Sequence, residues 1–237
     1  MTETAFNIGG VSVMLAMPVH RDMDWEVVKS LVETQTVLHD KGIPFEIQFQ
    51  VGNSIVTHAR TKIVHSFMKS ECNRLFQIDS DIAWKPEDFI RLLVLSTKMD
   101  VVGGIYTAKK EPPVFYINLD GCEGVLSNEY GCVKVGGLGL GFTIVNRAVI
   151  EKLYDKSPTA GFHDVEGGPV PQVFRCDVHN GLARGEDMAF FADIIDLGYD
   201  VYLDPTIVLK HVGRKAYSSS FMALLKDESQ AEGQSAY

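Results

Sequence analysis

The spacing of apolar residues changes period several times along the chain, and each change marks an element. Residues 11–17 form an unbroken apolar run halted by Pro18, the pattern of a central strand buried on both faces. Trp25, Val28, Leu31, Val32 and Leu38 then recur at helical spacing. Asp22 or Asp24 can cap that helix, and Gly42 ends it. Phe45, Ile47, Phe49 and Val51 alternate at period two, so a second strand is expected. From Ser54 on, Ile55, Ala59, Ile63 and Phe67 return to helical spacing, 75–78 reads as a third strand, and Asp79-Ser80-Asp81 closes it. Pro86 with Glu87 and Asp88 makes a good first helical turn, and Leu92, Leu93 and Leu95 give that helix its inner side. Val101 and Val102 open a fourth strand. This repeated strand–helix alternation predicts an α/β fold with a Rossmann-like, mostly parallel central sheet flanked by helices.

After Lys110 the texture changes. Residues 113–146 are glycine-rich, with short β-prone pieces at 114–118, 131–135 and 139–145, and they predict a small antiparallel or mixed β extension. A helix is expected over 147–154. Residues 155–184 are rich in Gly, Pro and polar groups, and a connection of that length is usually functional or disordered. A further helix is expected over 186–197, with Met188, Phe191, Ile194 and Ile195 inside and Gly198 as its stop. Strands are expected at 201–203 and 207–209. The expected organisation is a single domain over 1–217 and a polar C-terminal tail over 218–237, with one apolar patch at 221–225.

Composition narrows the function classes. A chain of 237 residues that is 46% hydrophobic and 22% charged can bury a sizeable core. The net charge of −9 argues against a nucleic-acid partner. It also means that a bound diphosphate would need a local counter-charge, most simply a cation. Cys72, Cys122, Cys132 and Cys176 form no C-x-x-C pair, and their spacing suits free thiols in a reducing cytosol, although Cys122 and Cys132 could meet across a hairpin. The first eighteen residues carry no Lys or Arg, and the apolar run at 11–17 is too short to span a bilayer. A cytoplasmic protein without a membrane span is expected.

Asp79-x-Asp81 is the leading chemical candidate. With 17 Asp in the chain, roughly one such triplet arises by chance, and Asp22-Met23-Asp24 is a second, so the pattern alone decides little. Asp22 and Asp24 precede a helix, where capping accounts for them. Asp79 and Asp81 follow an apolar strand, at the edge where open α/β sheets bind ligands. Two carboxylates there repel each other unless a cation or hydrogen-bond donors intervene. Mg²⁺ or Mn²⁺, hard cations that take oxygen ligands and are often shared with substrate phosphates, suit that position.

The order of several short segments adds to this. Ser54-Ile-Val-Thr-His-Ala-Arg60, Phe67, Leu75-Phe-Gln-Ile-Asp-Ser-Asp-Ile82 and Pro86 resemble small GT-A glycosyltransferases of bacterial and viral type, chlorella-virus glycan enzymes included. The likeness to certain fungal mannosyltransferases is more remote. Gly185-Glu-Asp-Met-Ala-Phe-Phe, Gly198-Tyr, Asp204-Pro205 and His211-x-Gly213 are similar to the carboxyl half of the same fold, so the likeness runs from about residue 11 to 217. The resemblance implies transfer of a sugar from a UDP- or GDP-linked donor to a glycan or other hydroxyl acceptor, with a divalent metal bridging the diphosphate. It places Asp79 and Asp81 at the metal and donor ribose, Asp81 as the more direct ligand, with Ser80 between them. His211 would complete the metal coordination. Asp187, or else Glu186, would stand on the acceptor side; Pro18 and His20 would hold base and ribose; Arg60 would lie near the donor. Relatives with an Ala-Arg-Asn run have Asn where this chain has Thr61, a departure that bears on Arg60. The Gly-rich segment 136–141 looks like the stretch that lets the acceptor approach the backbone.

These roles have physical reasons of their own. A nucleoside diphosphate leaves readily only when its developing charge is neutralised. His211 can ligate as a neutral imidazole, and Lys109 and Lys110 can reach phosphates or lie in a solvated loop. As a base, Asp187 would accept the acceptor's hydroxyl proton and the transfer would invert the anomeric centre; in a retaining enzyme it would bind hydroxyls instead. The glycines at 136–141 precede a β-prone run rather than a helix, which disfavours a dinucleotide-binding dehydrogenase. Two alternatives stay open: an aspartate-dependent phosphatase or phosphotransferase, and a non-catalytic nucleotide-sugar-binding protein.

Overall fold

The computed structural model describes residues 8–119, 127–162, 168–213 and 217–222. Cys122, residues 163–167 of the long connection and 223–237 of the expected tail lie outside the described residues. In chain order the elements are β1 (Val13–Val19), α1 (Trp25–Asp40), β2 (Phe45–Val51), α2 (Val56–Lys69), β3 (Arg74–Ile78), β4 (Ile82–Ala83), α3 (Pro86–Leu95) and β5 (Val101–Gly103). There follow β6 (Val133–Val135), β7 (Phe142–Asn146), α4 (Arg147–Lys156), β8 (Thr159–Ala160), β9 (Val170–Pro171), β10 (Asp177–His179), β11 (Leu182–Arg184), α5 (Glu186–Asp196), β12 (Val201–Leu203) and β13 (Lys210–His211).

Seven strands form the central sheet in the order β2-β1-β3-β7-β5-β12-β6. β2, β1 and β3 pair in parallel, as do β5 and β12, while β7 and β6 run against their neighbours. The expected α/β architecture with a mostly parallel sheet is what the chain adopts. Side chains alternate across it and build two cores. One face carries Val13, Leu15, Phe76 and Phe142 under α1 and α3; the other carries Met14, Ala16, Leu75 and Val145 under α2, α4 and α5. Phe76 stacks on Phe89 at 4.3 Å and meets Phe142 edge-on at 4.9 Å. Truncating such a ring costs about 3–5 kcal/mol, because transfer energy and packing are lost together.

Several local expectations need correction. Asp24 holds the N-cap position of α1 without a side-chain bond, and Ile195 of α5 is exposed. Pro18 does not stop β1, which runs on to Val19. Pairing with β3 ends at Ala16, and the Val19 carbonyl accepts from the Gly52 N–H on the β2 side. Successive residues face opposite neighbours, so Pro18 turns its missing N–H toward the side where the ladder has ended. In α1 the buried line is Val27, Ser30, Leu31, Thr34 and Leu38, and Trp25, Val28 and Val32 are exposed. The Ser30 hydroxyl bonds the Trp84 carbonyl at 2.7 Å and Thr34 accepts the Trp84 indole N–H at 2.8 Å, so two polar residues hold inner positions. Segment 139–145 is no peripheral extension: β7 enters the middle of the sheet between β3 and β5. Finally, 207–209 is not a strand; Ile207 and Leu209 are buried, and the strand lies one step later, where β13 pairs antiparallel with β4.

Candidate active site

The five co-directed strands β2, β1, β3, β5 and β12 put their carboxyl ends on one edge of the sheet, and the candidate residues gather there. β3 releases Asp79 at that edge, where its N–H bonds the Gly141 carbonyl at 3.0 Å. The turn to β4 then leaves Ser80 and Asp81 half-buried. The β4–β13 ribbon pairs Ile82 with His211, and the Val212 N–H bonds the Asp81 carbonyl at 2.7 Å. A histidine 130 positions away is thus carried to the acidic triplet by backbone pairing.

The two carboxylates have separate surroundings. Asp79 accepts from Arg60 Nη2 at 2.7 Å and from the Tyr106 hydroxyl at 3.2 Å. Arg60 is buried in α2; its Nη1 bonds Gln77 Oε1 at 2.9 Å and its Nε faces Glu186 Oε1 at 3.6 Å, so one guanidinium ties Asp79 to the start of α5. Burial works against the Arg60 charge, but Asp79 and Glu186 outweigh it and raise the pKa. Arg60 Nε and Gln77 Nε2 are buried without a hydrogen bond. The Tyr106 phenol is held well above its ordinary pKa by burial and by the charge of Asp79, so it stays a donor.

Asp81 Oδ2 accepts from Lys109 Nζ at 2.7 Å and faces His211 Nε2 at 3.3 Å. Burial raises the Asp81 pKa, yet the hydrogen bonds from His211 and Lys109 carry it below the ordinary value. His211 Nδ1 lies 2.8 Å from the Thr107 carbonyl, which can only accept, so Nδ1 carries the proton. The other ring nitrogen, Nε2, faces the carboxylate oxygen and can either donate to it or, in the neutral ring, ligate a cation. A carboxylate oxygen beside an imidazole nitrogen fits a divalent cation such as Mn²⁺ or Mg²⁺. Asp79 stands apart from that pair on Arg60, and no group of three potential His, Cys, Asp or Glu ligands converges among the described residues.

Two clefts flank the Asp81–His211 pair, Asp81 lining one and His211 the other. The first, about 510 Å³, is lined by His20, Asp22, Asp24, Trp25, Ser80 and Asp81 among others; Pro18 sits half-buried inside β1, two residues short of its wall. The second, about 520 Å³, holds Tyr106, Lys110, Tyr116, Gly139, Asp187 and His211. Lys109 lines both. Lys110 lies over the Tyr116 ring at 5.4 Å, so of the two lysines it is Lys109 that reaches the acidic triplet. Asp187 starts α5 beside Glu186 and takes the Met188 N–H at 2.8 Å. Burial first, and the Glu186 charge second, raise its pKa.

The glycines of 136–141 have a packing reason. A Cβ at Gly139 would lie 2.6 Å from the Tyr106 oxygen, and one at Gly141 would lie 2.6 Å from Asp79 Oδ2. They make room for the site's own side chains. Asp204, part of the resemblance, is a buried turn residue bonded to Thr206 and Arg91. Tyr106 and Gln77 were not singled out from the sequence. Tyr106 follows β5 at the same sheet edge that marked Asp79, and that position was the available signal.

No family model matches the chain, and no curated protein matches it. Among solved structures, A197 from STIV superposes with a TM-score of 0.55 at 20% identity, covering 86% of each chain. GalNAc-T7, solved with UDP, GalNAc and Mn²⁺, superposes with a TM-score of 0.52 at 10% identity, covering 87% of this chain and 45% of that one. At these identities the likeness is one of fold, and it is the expected GT-A-like fold. No helix among the described residues is long and apolar enough to cross a membrane.

Proposed function

We propose that this chain is a metal-assisted glycosyltransferase that moves a sugar from a UDP- or GDP-linked donor to a glycan or other hydroxyl acceptor. The observation that carries the reading is the pairing of Asp81 Oδ2 with His211 Nε2, between two clefts at the carboxyl edge of the sheet. The Mn²⁺ in the GalNAc-T7 structure supports it at the level of fold. Asp81 and His211 would hold the cation. When bound, Mn²⁺ or Mg²⁺ would neutralise charge on the leaving diphosphate.

The remaining roles follow from position. His20 and Ser80 border the cleft for the nucleotide, with Pro18 behind them, and Asp79, fixed by Arg60 and Tyr106, serves the donor's ribose or sugar. Lys110 and Tyr116 line the opposite cleft, where the acceptor enters. Asp187 takes the acceptor's hydroxyl proton as that oxygen bonds the anomeric carbon and the bond to the diphosphate oxygen breaks, with inversion. Burial suits it to this, because a raised pKa makes a carboxylate a better base. Glu186 holds the start of α5 through Arg60. Residues 1–217 act as one catalytic unit, and the site belongs in the cytosol.

A thermal-shift screen of nucleotide sugars with and without Mn²⁺ tests the reading, since a ligand of the folded state raises the melting temperature. One donor should stabilise the protein in a chelator-sensitive way, and Asp81→Ala should remove that stabilisation. Equal nucleotide affinity in Asp81→Ala and the parent protein, with and without Mn²⁺, would count decisively against it.

A further inference from the structure

We propose that Lys109 is a tethered counter-ion that occupies the cation's place on Asp81 until a diphosphate arrives, so that metal and nucleotide bind cooperatively. The inference rests on the functional reading above and adds a device to it. Lys109 Nζ lies 2.7 Å from Asp81 Oδ2, the same oxygen that His211 Nε2 faces at 3.3 Å. The ammonium therefore sits on the oxygen where the candidate ligands converge. Its place is built into the fold. A Cβ at Gly213 would lie 3.2 Å from Lys109 Cδ and 3.4 Å from its Cε, so the glycine clears a channel for the lysine stem.

A divalent cation and this ammonium compete for the same lone pairs, and their like charges repel. Metal alone must displace Lys109, which then loses its anionic partner. An ammonium has three donors and no acceptor, and it rides on a flexible stem. Lys109 lines both clefts and its side chain is 37% exposed, so it can turn from Asp81 toward a phosphate in the nucleotide cleft. A diphosphate supplies the partner that metal binding takes away. Each ligand then raises the affinity for the other by the same factor.

The test titrates Mn²⁺ alone into the parent protein, Lys109→Met and Gly213→Ala, following loss of the free-ion paramagnetic resonance signal, and repeats each titration with saturating UDP or GDP. Thermal denaturation confirms that each variant is folded. Without nucleotide, Lys109→Met should bind Mn²⁺ roughly tenfold more tightly than the parent protein, within the usual range of site–site coupling. The factor by which nucleotide improves Mn²⁺ binding should shrink in that variant. Gly213→Ala should fall between the two, because it displaces the stem and keeps the charge. Adding Asp81→Asn to Lys109→Met should abolish the gain. Equal or weaker Mn²⁺ binding by Lys109→Met, while nucleotide binding stays Mn²⁺-dependent, overturns the Lys109 role alone. If nucleotide binding shows no Mn²⁺ dependence in the parent protein, the glycosyltransferase reading falls and the Lys109 role falls with it.

Discussion

The chain contains two Asp-x-Asp triplets that border the same cleft, yet their surroundings differ sharply. In the first, Asp24 holds the N-cap position of α1 without a side-chain capping bond, and Asp22 is exposed. In the second, Asp79 is held by Arg60 and Tyr106, and Asp81 by Lys109 and His211. The spacing of the carboxylates is identical. What differs is convergence: the second triplet follows a central strand, and α2, the segment after β5, and β13 all deliver partners to it. A carboxylate pair gains chemical meaning when cations and donors from distant parts of the chain are fixed around it.

The largest expected effect tests whether the convergence serves a reaction. Asp187→Asn should lower the transfer rate by about 10²–10⁴-fold, the usual worth of a general base, with donor affinity retained in equilibrium titrations. Because burial and the Glu186 charge raise the Asp187 pKa, the acidic limb of the rate profile should lie above the ordinary aspartate range. Glu186→Gln removes a like charge and should move that limb to lower pH. Near-normal transfer by Asp187→Asn would eliminate the base. Next in size, Arg60→Met leaves Asp79 and Glu186 without their shared cation; breaking a buried pair in this way costs about 3–5 kcal/mol, measurable by urea denaturation. A loss under half a kcal/mol would mean that the two carboxylates do not depend on it. The smallest effect is expected at the other triplet. Asp24→Ala removes no capping bond, so stability should stay within about 0.5 kcal/mol and nucleotide binding should keep its metal dependence. A loss as large as that of Asp81→Ala would erase the distinction between the triplets.

Much of the fold was legible from local pattern. Pro86 with Glu87 and Asp88 does open α3, Gly42 and Gly198 do adopt the positive φ that ends α1 and α5, and β3 does end at Ile78, just before Asp79. The place of β7 was not legible. Its short run of buried residues fits a peripheral hairpin or a central strand equally well, and only pairing with β3 on one side and β5 on the other decides between them. At the site, Asp81 and His211 were readable as candidates and are neighbours in space. Arg60 was readable as an arginine near the donor, but not as a buried link between Asp79 and Glu186, and Tyr106 gave no periodic or motif signal.

By itself the sequence determined the α/β class, most element positions and the two acidic triplets, because periodicity, capping and strand-end position act over a few residues. Only the tertiary structure decided which triplet is surrounded by chemistry, that Lys109 rather than Lys110 meets Asp81, and that Asp79 belongs to Arg60. Those contacts join residues from 19 to 130 positions apart. Their partners are chosen by sheet order and by the β4–β13 pairing, and neither leaves a periodic trace in the chain.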